Sequence, residues 1–375
     1  MKPLRLLFDG RAFTPRRSGI GEYSYYLLQA LLTHFADEID VSLYAAEDVV
    51  PVRSIGEVEE ATRDVQPGDL YKPTEQLRLP KILDPRRFDL YHCPDYSIPL
   101  LNSSFPIIAT IHDVVPLVYP DMMKGSLKVK LLPVFKWYLR NALKRSRSVI
   151  TVSEFSKQEM NRFFGGLTDR VEVIHSAPYH PEKRPAGEAE VPNIEPRSYF
   201  LYVGRQEPYK GIRELIESFK RVYHDVSERV PFLVITGEVD ERYQWDRVVQ
   251  ESGMEGRVRF TGYVSREQLT WLYTNASAFV FPSLYEGFGF PPLDAMAFGL
   301  PVACSNRASL PEVAGEAARM FDPGSNESID EALKDIALND TLRAELIVKG
   351  ENRLRVFSWQ ATAEKTMNVY RKAIK

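Results

Sequence analysis

The feature that most constrains the fold is an alternation of short apolar runs with longer amphipathic segments, which occurs twice along the 375-residue chain. Short apolar runs are typical of buried strands, whereas the segments between them carry apolar side chains at helical spacing. Strands separated by helices predict parallel β-α-β units. The pattern therefore predicts an α/β fold with two Rossmann-like, doubly wound parallel sheets.

The apolar runs place the strands and the amphipathic segments place the helices. In the first half we expect strands at residues 4–8, 41–44, 90–92, 107–112, 149–152 and 171–174. In the second half we expect them at residues 199–203, 232–236, 258–260, 278–281 and 301–304. Helices are predicted at residues 21–34, 156–164, 212–224, 244–252, 266–275, 291–298, 328–337, 341–356 and 359–373.

A proline-rich stretch separates the two series. Five prolines and many charged residues lie within residues 178–196, and this composition predicts a linker. We therefore expect an N-terminal domain, a linker, a C-terminal domain and a terminal helix, at residues 1–180, 181–197, 198–357 and 358–375. Open α/β sheets bind ligands at the carboxyl ends of their strands, so two such sheets facing a central cleft would line it with their loops.

Composition excludes several classes of protein. Hydrophobic residues make up 44% and charged residues 26%, as in ordinary globular proteins, and the net charge of -3 argues against general nucleic-acid binding. Cys93 and Cys304 lie far apart and outside any Cys/His cluster, which argues against a disulfide framework or a zinc site. No run approaches the roughly 18–20 apolar residues that cross a bilayer, so we expect a cytoplasmic protein that could still contact a membrane surface.

The segment 281–297 offers a seat for an anion. Gly287 and Gly289 permit unusual backbone angles, and two prolines follow at the start of a predicted helix. Backbone amides at a helix N-terminus favour an anion, while the flanking carboxylates of Glu286 and Asp294 suit hydroxyl groups. The alternative is a strand–turn–helix joint with a solvated carboxylate, which the segment taken alone would favour.

A second loop carries two basic residues. Arg205 and Lys210 lie between a predicted strand and a predicted helix, within residues 203–211. Together they could clamp a diphosphate and neutralise the charge that develops when it leaves. Taken alone, both would more often be solvated loop charges.

The N-terminal half contributes weaker signals. Residues 18–22 predict a glycine-rich loop before the first helix, able to bring amides close to a phosphate or a sugar. This loop lacks the dinucleotide fingerprint G-x-G-x-x-G. His112 lies at the carboxyl end of a predicted strand, where it could either contact a ligand or pack as a core residue.

These motifs resemble, in order and spacing, the family 4 retaining glycosyltransferases, which have the GT-B fold. The resemblance covers almost the whole chain, through Gly19-Ile-Gly21, Ile111-His-Asp113, Thr151 to Lys157, Gly204-Arg205, Lys210-Gly211, Thr261 to Val264, the Glu286 loop and Ser309 to Ala314. It is similar in particular to bacterial O-antigen and surface-polysaccharide mannosyltransferases.

The resemblance implies roles for the first domain. This domain would take the acceptor, and the terminal helix at 358–375 would pack back on it. Gly19 and Gly21 would approach the phosphate and sugar of the donor. His112 would bind the donor sugar near its C6 hydroxyl.

The resemblance also implies that the second domain holds the nucleotide sugar. Arg205 and Lys210 would hold the diphosphate, and Glu286 would bind a hydroxyl of the transferred sugar. Tyr263 and Val264 would border the base. The remaining donor contacts would come from Gly287, Phe288, Gly289, Phe290 and Asp294.

One position departs from the family pattern. The second carboxylate, which binds the ribose, is Asp294 where the family usually has glutamate, and aspartate is one methylene shorter. The family needs no metal or cofactor because its basic residues stabilise the leaving diphosphate, and no Asp-x-Asp pair here is placed to hold a metal. The implied mechanism is front-face transfer with retained anomeric configuration and no protein nucleophile.

The segment 124–147 is strongly basic and interleaved with apolar and aromatic residues. Such a helix can lie on an anionic membrane surface, which would suit an enzyme that extends a lipid-linked glycan. The favoured alternative is an amphipathic domain helix whose charges are solvated. No nucleic-acid-binding motif accompanies the charge.

Two rival functions remain open at this point. A sugar-nucleotide epimerase of the same fold would share the diphosphate grip but would transfer no sugar. A non-catalytic sugar-nucleotide-binding protein would be a different class, and the two basic residues with two carboxylates argue against it. For the donor, we expect mannose from GDP-mannose, with UDP-glucose and UDP-N-acetylglucosamine as alternatives; the acceptor would be a glycan or a lipid-linked glycan.

Overall fold

The computed structural model of the chain describes residues 2–14, 19–45, 48–66, 71–101, 105–123, 125–178, 191, 193–239 and 241–375. The chain divides into two compact units. The first comprises Met1–Leu117, Leu127–Ser176 and Phe357–Lys375, and the second comprises Val118–Ser126 and Ala177–Val356. Residues 181–190 and 192 of the predicted linker lie outside the described residues.

The first unit contains a sheet with seven strands in the described part of the chain. Its strands are β1 (Leu4–Asp9), β2 (Ile39–Ala45), β3 (Asp48–Val52), β4 (Leu90–Cys93), β5 (Ile107–Thr110), β6 (Ser148–Thr151) and β7 (Val171–Val173). They pair in the order β3-β2-β1-β4-β5-β6-β7, and all pairs are parallel except β2 with β3. The six predicted strands are present.

The sequence did not predict β3. This short strand pairs antiparallel at the edge of the sheet and contains Pro51, which cannot donate a hydrogen bond from its backbone. An edge strand tolerates proline, since one side of it needs no partner. Only its last residue is buried, and the proline interrupts a short apolar run, so no buried strand was indicated.

Helices flank the first sheet. They are α1 (Gly19–His34), α2 (Ile55–Ala61), α3 (Glu75–Ile82), α4 (Val115–Val118), α5 (Leu127–Lys130), α6 (Leu132–Arg145), α7 (Glu154–Phe164) and, from the C-terminus, α15 (Trp359–Ala373). The helix α15 packs against α1, where the rings of Trp359 and Tyr26 stack with centroids 5.5 Å apart. The buried Tyr370 hydroxyl also contacts Nδ1 of His92 at 2.5 Å. The prediction that the terminal helix returns to the N-terminal domain is therefore confirmed.

The second unit contains a wholly parallel sheet, with six strands in the described residues. These are β8 (Tyr199–Val203), β9 (Phe232–Thr236), β10 (Val258–Gly262), β11 (Ala278–Phe281), β12 (Val302–Ser305) and β13 (Arg319–Phe321), in the order β10-β9-β8-β11-β12-β13. Only β13, with three residues, was not predicted, because so short a run carries little periodicity. Two Rossmann-like parallel-sheet units confirm the predicted fold class.

The helices of the second unit largely follow the predicted pattern. They are α8 (Ile212–Val226), α9 (Trp245–Ser252), α10 (Arg266–Asn275), α11 (Phe290–Ala297), α12 (Leu310–Ala314), α13 (Asn326–Leu338) and α14 (Asp340–Leu354). Local sequence fixes several starts: Ser265 forms a capping box with Gln268, and the side chain of Asn339 accepts from the amide of Leu342 at 3.0 Å.

One segment of the second unit was not anticipated. Residues Val118–Ser126 leave the first unit after α4 and join the second. The ring of Tyr119 packs edge-on against Tyr285 at 6.0 Å, and the 3₁₀ turn Asp121–Met123 lies beside the 3₁₀ turn Pro208–Lys210. Tertiary packing decides this placement, so no local pattern could have indicated it.

The basic segment 124–147 forms two helices, α5 and α6, rather than one; Lys124 lies outside the described residues. The ammonium group of Lys128 turns inward and lies 5.2 Å from the ring centroids of both Tyr71 and Tyr96. Lys128 is therefore a packing residue rather than a solvated charge. In the described ranges, no helix has the length and apolar character to cross a membrane.

Candidate functional site

The topology of the second sheet points to one crevice. The chain runs from β8 outward through β9 to β10, then returns to place β11 on the other side of β8. At such a reversal the loops after the two central strands diverge to opposite faces, which leaves a crevice at their carboxyl ends where ligands bind. The loops after β8 and β11 are the two loops that the sequence singled out.

Two of the predicted residues meet at this crevice. The Nζ atom of Lys210, after β8, lies 2.7 Å from Oε1 of Glu286, after β11, and their side chains are only 13% and 12% exposed. The amide of Leu284 donates to the carbonyl of Tyr209 at 2.8 Å and ties the two loops together. A largely buried pair of this kind is rigid. The ammonium group of Lys210 is therefore already positioned at the crevice for an anion that binds there.

Glycines allow the loops at this edge to approach so closely. Gly211 has φ +72°, and a Cβ there would overlap the carbonyl oxygen of Pro282. Gly237, after β9, has φ +136°, and a Cβ there would overlap the carbonyl oxygen of Gly204. Both positions demand glycine for space as well as for backbone angle.

Gly237→Ala is expected to lower the free energy of unfolding by about 3–4 kcal/mol, because it adds overlap to backbone strain. Gly253→Ala is the matched control, since Gly253 has φ +71° but open space where its Cβ would lie. We expect the control to cost about 1 kcal/mol. Urea unfolding of both variants measures the difference, and equal costs would show that the close approach of these loops is not rigid.

The side chain of Ser309 stabilises the backbone of the Glu286 loop. Its hydroxyl lies 3.0 Å from the carbonyl oxygen of Glu286 and 2.7 Å from that of Phe288, so a single proton is shared between two acceptors. Gly289 has φ +104° and precedes α11, and a Cβ there would lie 2.7 Å from Cδ2 of Leu310. The prolines at the start of α11 stand as predicted. Sequence reasoning gave Ser309 no role beyond the motif that contains it.

Arg205 lies on the Lys210 loop but remains open to solvent. Its side chain is 65% exposed, and its nearest carboxylate is Glu207 at 3.8 Å. Glu207 itself accepts a 2.6 Å hydrogen bond from the hydroxyl of Tyr209. Because Arg205 is only loosely paired, it can reorient toward a ligand, whereas Lys210 is fixed.

The other predicted residues of the second unit occupy the same edge. Tyr263 is 55% exposed and follows β10, and Val264 next to it is half-buried. Gly287 and Phe288 are buried and Phe290 is half-buried, with the rings of Phe288 and Phe290 5.0 Å apart. Asp294 lies inside α11 and is only 7% exposed. Its contact with a ribose stays a prediction.

In the first unit, the predicted glycine loop is corrected. Helix α1 begins at Gly19, so Gly19 and Gly21 lie in its first turn rather than in a loop before it, and Ser18 lies outside the described residues. Glu22 in the same turn favours a helix N-terminus at this position. Apart from its own helical turn and chain neighbours, no described residue lies within 4 Å of the position that a Cβ at Gly19 would take.

His112 lies two residues beyond the end of β5 and beside α1. Its ring packs edge-on against Tyr23 with centroids 4.7 Å apart, and its Nε2 lies 3.0 Å from the carbonyl oxygen of Pro94. The hydroxyl of Ser156 donates to the carbonyl of His112 at 2.9 Å and fixes its backbone. The structure thus brings His112 close to the helix that carries Gly19 and Gly21.

A buried ionic cluster at the end of β1 was missed. Arg11 donates from Nε to Asp9 at 2.9 Å, and the hydroxyl of Tyr91 donates to the same carboxylate at 2.6 Å. Burial would raise the pKa of Asp9, but the charge of Arg11 brings it below its usual value. Glu75 lies 3.4 Å from Arg11 on the other side. Only Asp9 and Arg11, two residues apart in the sequence, could have signalled this cluster, which fixes the loop after β1.

Two family profiles match the chain in tandem. The family described as "Glycosyltransferase Family 4" matches residues 17–177, and the family described as "Glycosyl transferases group 1" matches residues 186–353. The O-antigen chain mannosyltransferase B of Escherichia coli is 32% identical over 294 residues, which are 75% of this chain and 74% of that protein. The chain belongs to glycosyltransferase family 4. The O-antigen chain mannosyltransferase RfbU of Salmonella typhimurium is 29% identical over 64% of this chain and 63% of its own length.

Solved structures agree with the fold of this family 4 glycosyltransferase. A sucrose-phosphate synthase from Thermosynechococcus elongatus matches with a TM-score of 0.75 and 20% identity, over 98% of each chain. WaaG, a glycosyltransferase involved in lipopolysaccharide biosynthesis, matches with a TM-score of 0.71 and 14% identity, over 97% of this chain and 99% of its own. At such low identity these likenesses establish the GT-B fold alone.

Proposed function

We propose that this family 4 glycosyltransferase moves mannose from GDP-mannose to a glycan or lipid-linked acceptor in the synthesis of a bacterial surface polysaccharide. The names of the Escherichia coli and Salmonella relatives, both O-antigen chain mannosyltransferases, support this choice of sugar and pathway. The observation that carries the proposal is the contact of Lys210 with Glu286 at the crevice of the second sheet. In this contact, Lys210 supplies a cation that can bind a diphosphate, and Glu286 supplies a carboxylate that can bind a sugar hydroxyl.

The chemistry then follows from these side chains. Lys210 and Arg205 bind the diphosphate and stabilise the negative charge that grows on it as the glycosidic bond breaks. Glu286 accepts a hydrogen bond from a hydroxyl of the sugar and holds it for attack. The acceptor hydroxyl attacks from the face of the leaving group and passes its proton to the departing phosphate, so the configuration is retained. Cationic side chains in these positions make a metal ion unnecessary in this scheme.

His112 is suited to bind a sugar hydroxyl as a neutral acceptor. Burial lowers its pKa to about 4, so the imidazole carries no charge near neutral pH. Because a carbonyl oxygen can only accept, the contact with Pro94 assigns the proton to Nε2. Nδ1 is then the lone-pair acceptor that the C6 hydroxyl of the donor sugar would use.

The base would lie along the sheet from the sugar. Neighbouring strands are about 4.8 Å apart, so β10 and β11, three spacings apart, are separated by roughly 14 Å. A nucleotide sugar laid across this edge would place its base by Tyr263 and Val264, its diphosphate by Arg205 and Lys210, and its sugar by Glu286. The carboxylate of Asp294 would reach the ribose directly or through water.

GDP is expected to raise the thermal unfolding midpoint more than UDP, dTDP or ADP at equal concentration, because a ligand that binds only the native state stabilises it. At about 100 times its Kd the gain in free energy is about 2.7 kcal/mol. Stabilisation by UDP or dTDP instead of GDP would overturn the choice of donor. Incubating GDP-mannose with and without acceptor then separates transfer from epimerisation or simple binding.

We also propose that helices α5 and α6 rest on an anionic membrane surface, as a cytoplasmic enzyme extending a lipid-linked glycan would require. Four apolar side chains on this pair are unusually exposed: Leu127 (69%), Leu131 (47%), Val134 (47%) and Trp137 (52%). Val134 and Trp137 lie three residues apart on α6 and share one helical face, whereas Leu127 lies on α5 and Leu131 at the break between the two helices. Exposed Lys130, Lys136, Arg140 and Lys144 accompany them and supply the matching charge.

The enzyme is expected to sediment with phosphatidylglycerol vesicles at low salt and to be released by about 0.5 M salt, because polybasic attraction is screened. Trp137→Ser should weaken this binding several-fold. Val348→Ser is the matched control, since Val348 is 57% exposed on α14 of the other unit. Equal binding by both variants, or none by the wild type at low salt, would contradict the membrane proposal.

A further inference from the structure

A small pocket lined by arginines lies at the edge of the second sheet that the donor does not use. Its volume is about 260 Å³, and Arg197, Arg229, Arg343, Asp340 and Ser277 line it. Arg197 comes just before β8 and Ser277 just before β11, so the pocket lies at the amino ends of these strands. The Lys210–Glu286 contact lies at their carboxyl ends, a strand length or roughly 16 Å away.

The pocket holds an excess of positive charge. Arg229 donates to both carboxylate oxygens of Asp340, at 2.7 and 3.2 Å. Arg343 donates to the carbonyl oxygens of Ile336 and Ser277, which uses two of its five N–H groups. Among the described residues that line the pocket, three guanidinium groups accompany one carboxylate, which leaves two unbalanced positive charges.

The electrostatics of Arg343 agree with this excess. Burial lowers its pKa, and the neighbouring charges of Arg229 and Arg197 lower it further, against the opposing effect of Asp340. An anion in the pocket would relieve this repulsion.

The side chain of Arg197 makes no stabilising polar contact among the described residues. Its side chain is exposed and, among the described residues, forms no hydrogen bond or ion pair. Its backbone, in contrast, is fixed: φ is +58°, and its amide donates to the carbonyl of Asn275 at 2.5 Å. A non-glycine residue in the left-handed region is uncommon, and this contact holds Arg197 there.

We propose that this pocket binds a phosphate monoester dianion. A charge of about two matches the excess, since the second pKa of such a group is about 6. Guanidinium forks fit phosphate oxygens in paired hydrogen bonds, and Arg197 and Arg343 can both turn free N–H groups toward one phosphate. The small volume suits the phosphate and a short attached group, not a nucleotide sugar. The site is separate from the donor site and stabilises the second unit when occupied.

The test is to titrate inorganic phosphate and glycerol 3-phosphate into the full chain by isothermal calorimetry. Arg197→Asn removes the charge while asparagine tolerates the left-handed backbone, and we expect about tenfold weaker binding. Arg355→Asn is the matched control, because Arg355 is exposed at the far end of α14. Arg205→Ala, which alters the donor loop, should bind these probes in the pocket as the wild type does.

A second arm distinguishes a soluble ester from a lipid headgroup. Vesicles containing phosphatidic acid carry the same chemical group, so sensitivity to Arg197→Asn in sedimentation assigns the site to the headgroup. Sensitivity only in the calorimetric titration assigns it to a soluble ester. If Arg197→Asn changes neither, or if only Arg205→Ala weakens binding of the soluble probes, the proposal is overturned. Unchanged thermal unfolding of Arg197→Asn without phosphate shows that the variant is folded.

Discussion

Glu286→Ala is expected to lower kcat roughly a hundredfold while the protein stays folded, because a preorganised contact with the reacting sugar is worth that much. The carboxylate sits at the crevice between β8 and β11, and Ser309 holds its backbone in place. The loss should appear in kcat more than in KM, since a contact that positions the sugar for attack acts chiefly in the transition state. Steady-state kinetics with donor and acceptor measures it.

Two variants separate this role from a structural one. Glu286→Gln keeps the shape and a hydrogen-bond acceptor, so it should retain more activity than Glu286→Ala. Glu316→Ala removes an exposed carboxylate from the same unit and should leave the rate unchanged. Wild-type turnover in Glu286→Ala would remove this residue from the site.

Lys210→Met is expected to lower kcat/KM by roughly a hundredfold to a thousandfold and to weaken binding of the free nucleoside diphosphate. The reason is that its ammonium group would meet the diphosphate in both the ground state and the transition state. Methionine keeps much of the length and removes the charge. Kinetics and a nucleoside diphosphate titration measure the two effects.

The control for this change is Lys220→Met, which removes an exposed lysine from α8. Lys210→Met also leaves Glu286 largely buried without its cation, which can cost about 3 kcal/mol of stability. Thermal unfolding of the variant is therefore recorded beside the kinetics. A folded Lys210→Met enzyme with unchanged nucleotide affinity would contradict the assignment of this loop to the diphosphate.

The fold could be predicted from the sequence because its strands are buried on both faces. Continuous apolar runs such as those of β8 and β11 leave few alternatives, and helices with capping residues begin where Ser153 or Ser265 indicates. The strands that escaped prediction, β3 and β13, are short edge strands whose stability comes from pairing rather than from local sequence. The short helices α2, α3, α4 and α12 were not predicted either.

Part of the candidate site could be predicted from the sequence for the same reason. Lys210 and Glu286 follow strands that were correctly predicted, and topology brought their loops together. Contacts between residues that are far apart in the sequence could not be predicted from it. The Ser309 bridge, the inward turn of Lys128 toward two tyrosines and the placement of Val118–Ser126 with the second unit all depend on tertiary packing.

The start of α1 shows how local sequence can mislead the prediction of where a helix begins. Two glycines within three residues predicted a loop, yet Gly19 and Gly21 both lie in the first helical turn. Glycine costs a helix only about 1 kcal/mol, and packing of the following apolar stripe outweighs that cost. Outside its own helical turn, no described residue comes within 4 Å of the position of a Cβ at Gly19, which is consistent with the role that the resemblance implies, because a ligand can approach a residue that lacks a side chain.

We propose that a nucleotide sugar bound at the Lys210–Glu286 crevice is the donor for transfer with retained configuration. The most direct measurement follows the reaction of GDP-mannose with a mannose-terminated acceptor by NMR, for the wild type and Glu286→Ala side by side. We expect one GDP released for each new linkage, an α-configuration like that of the donor, and a rate that falls roughly a hundredfold in the variant. A β-linked product, or equal rates in the two proteins, would contradict it.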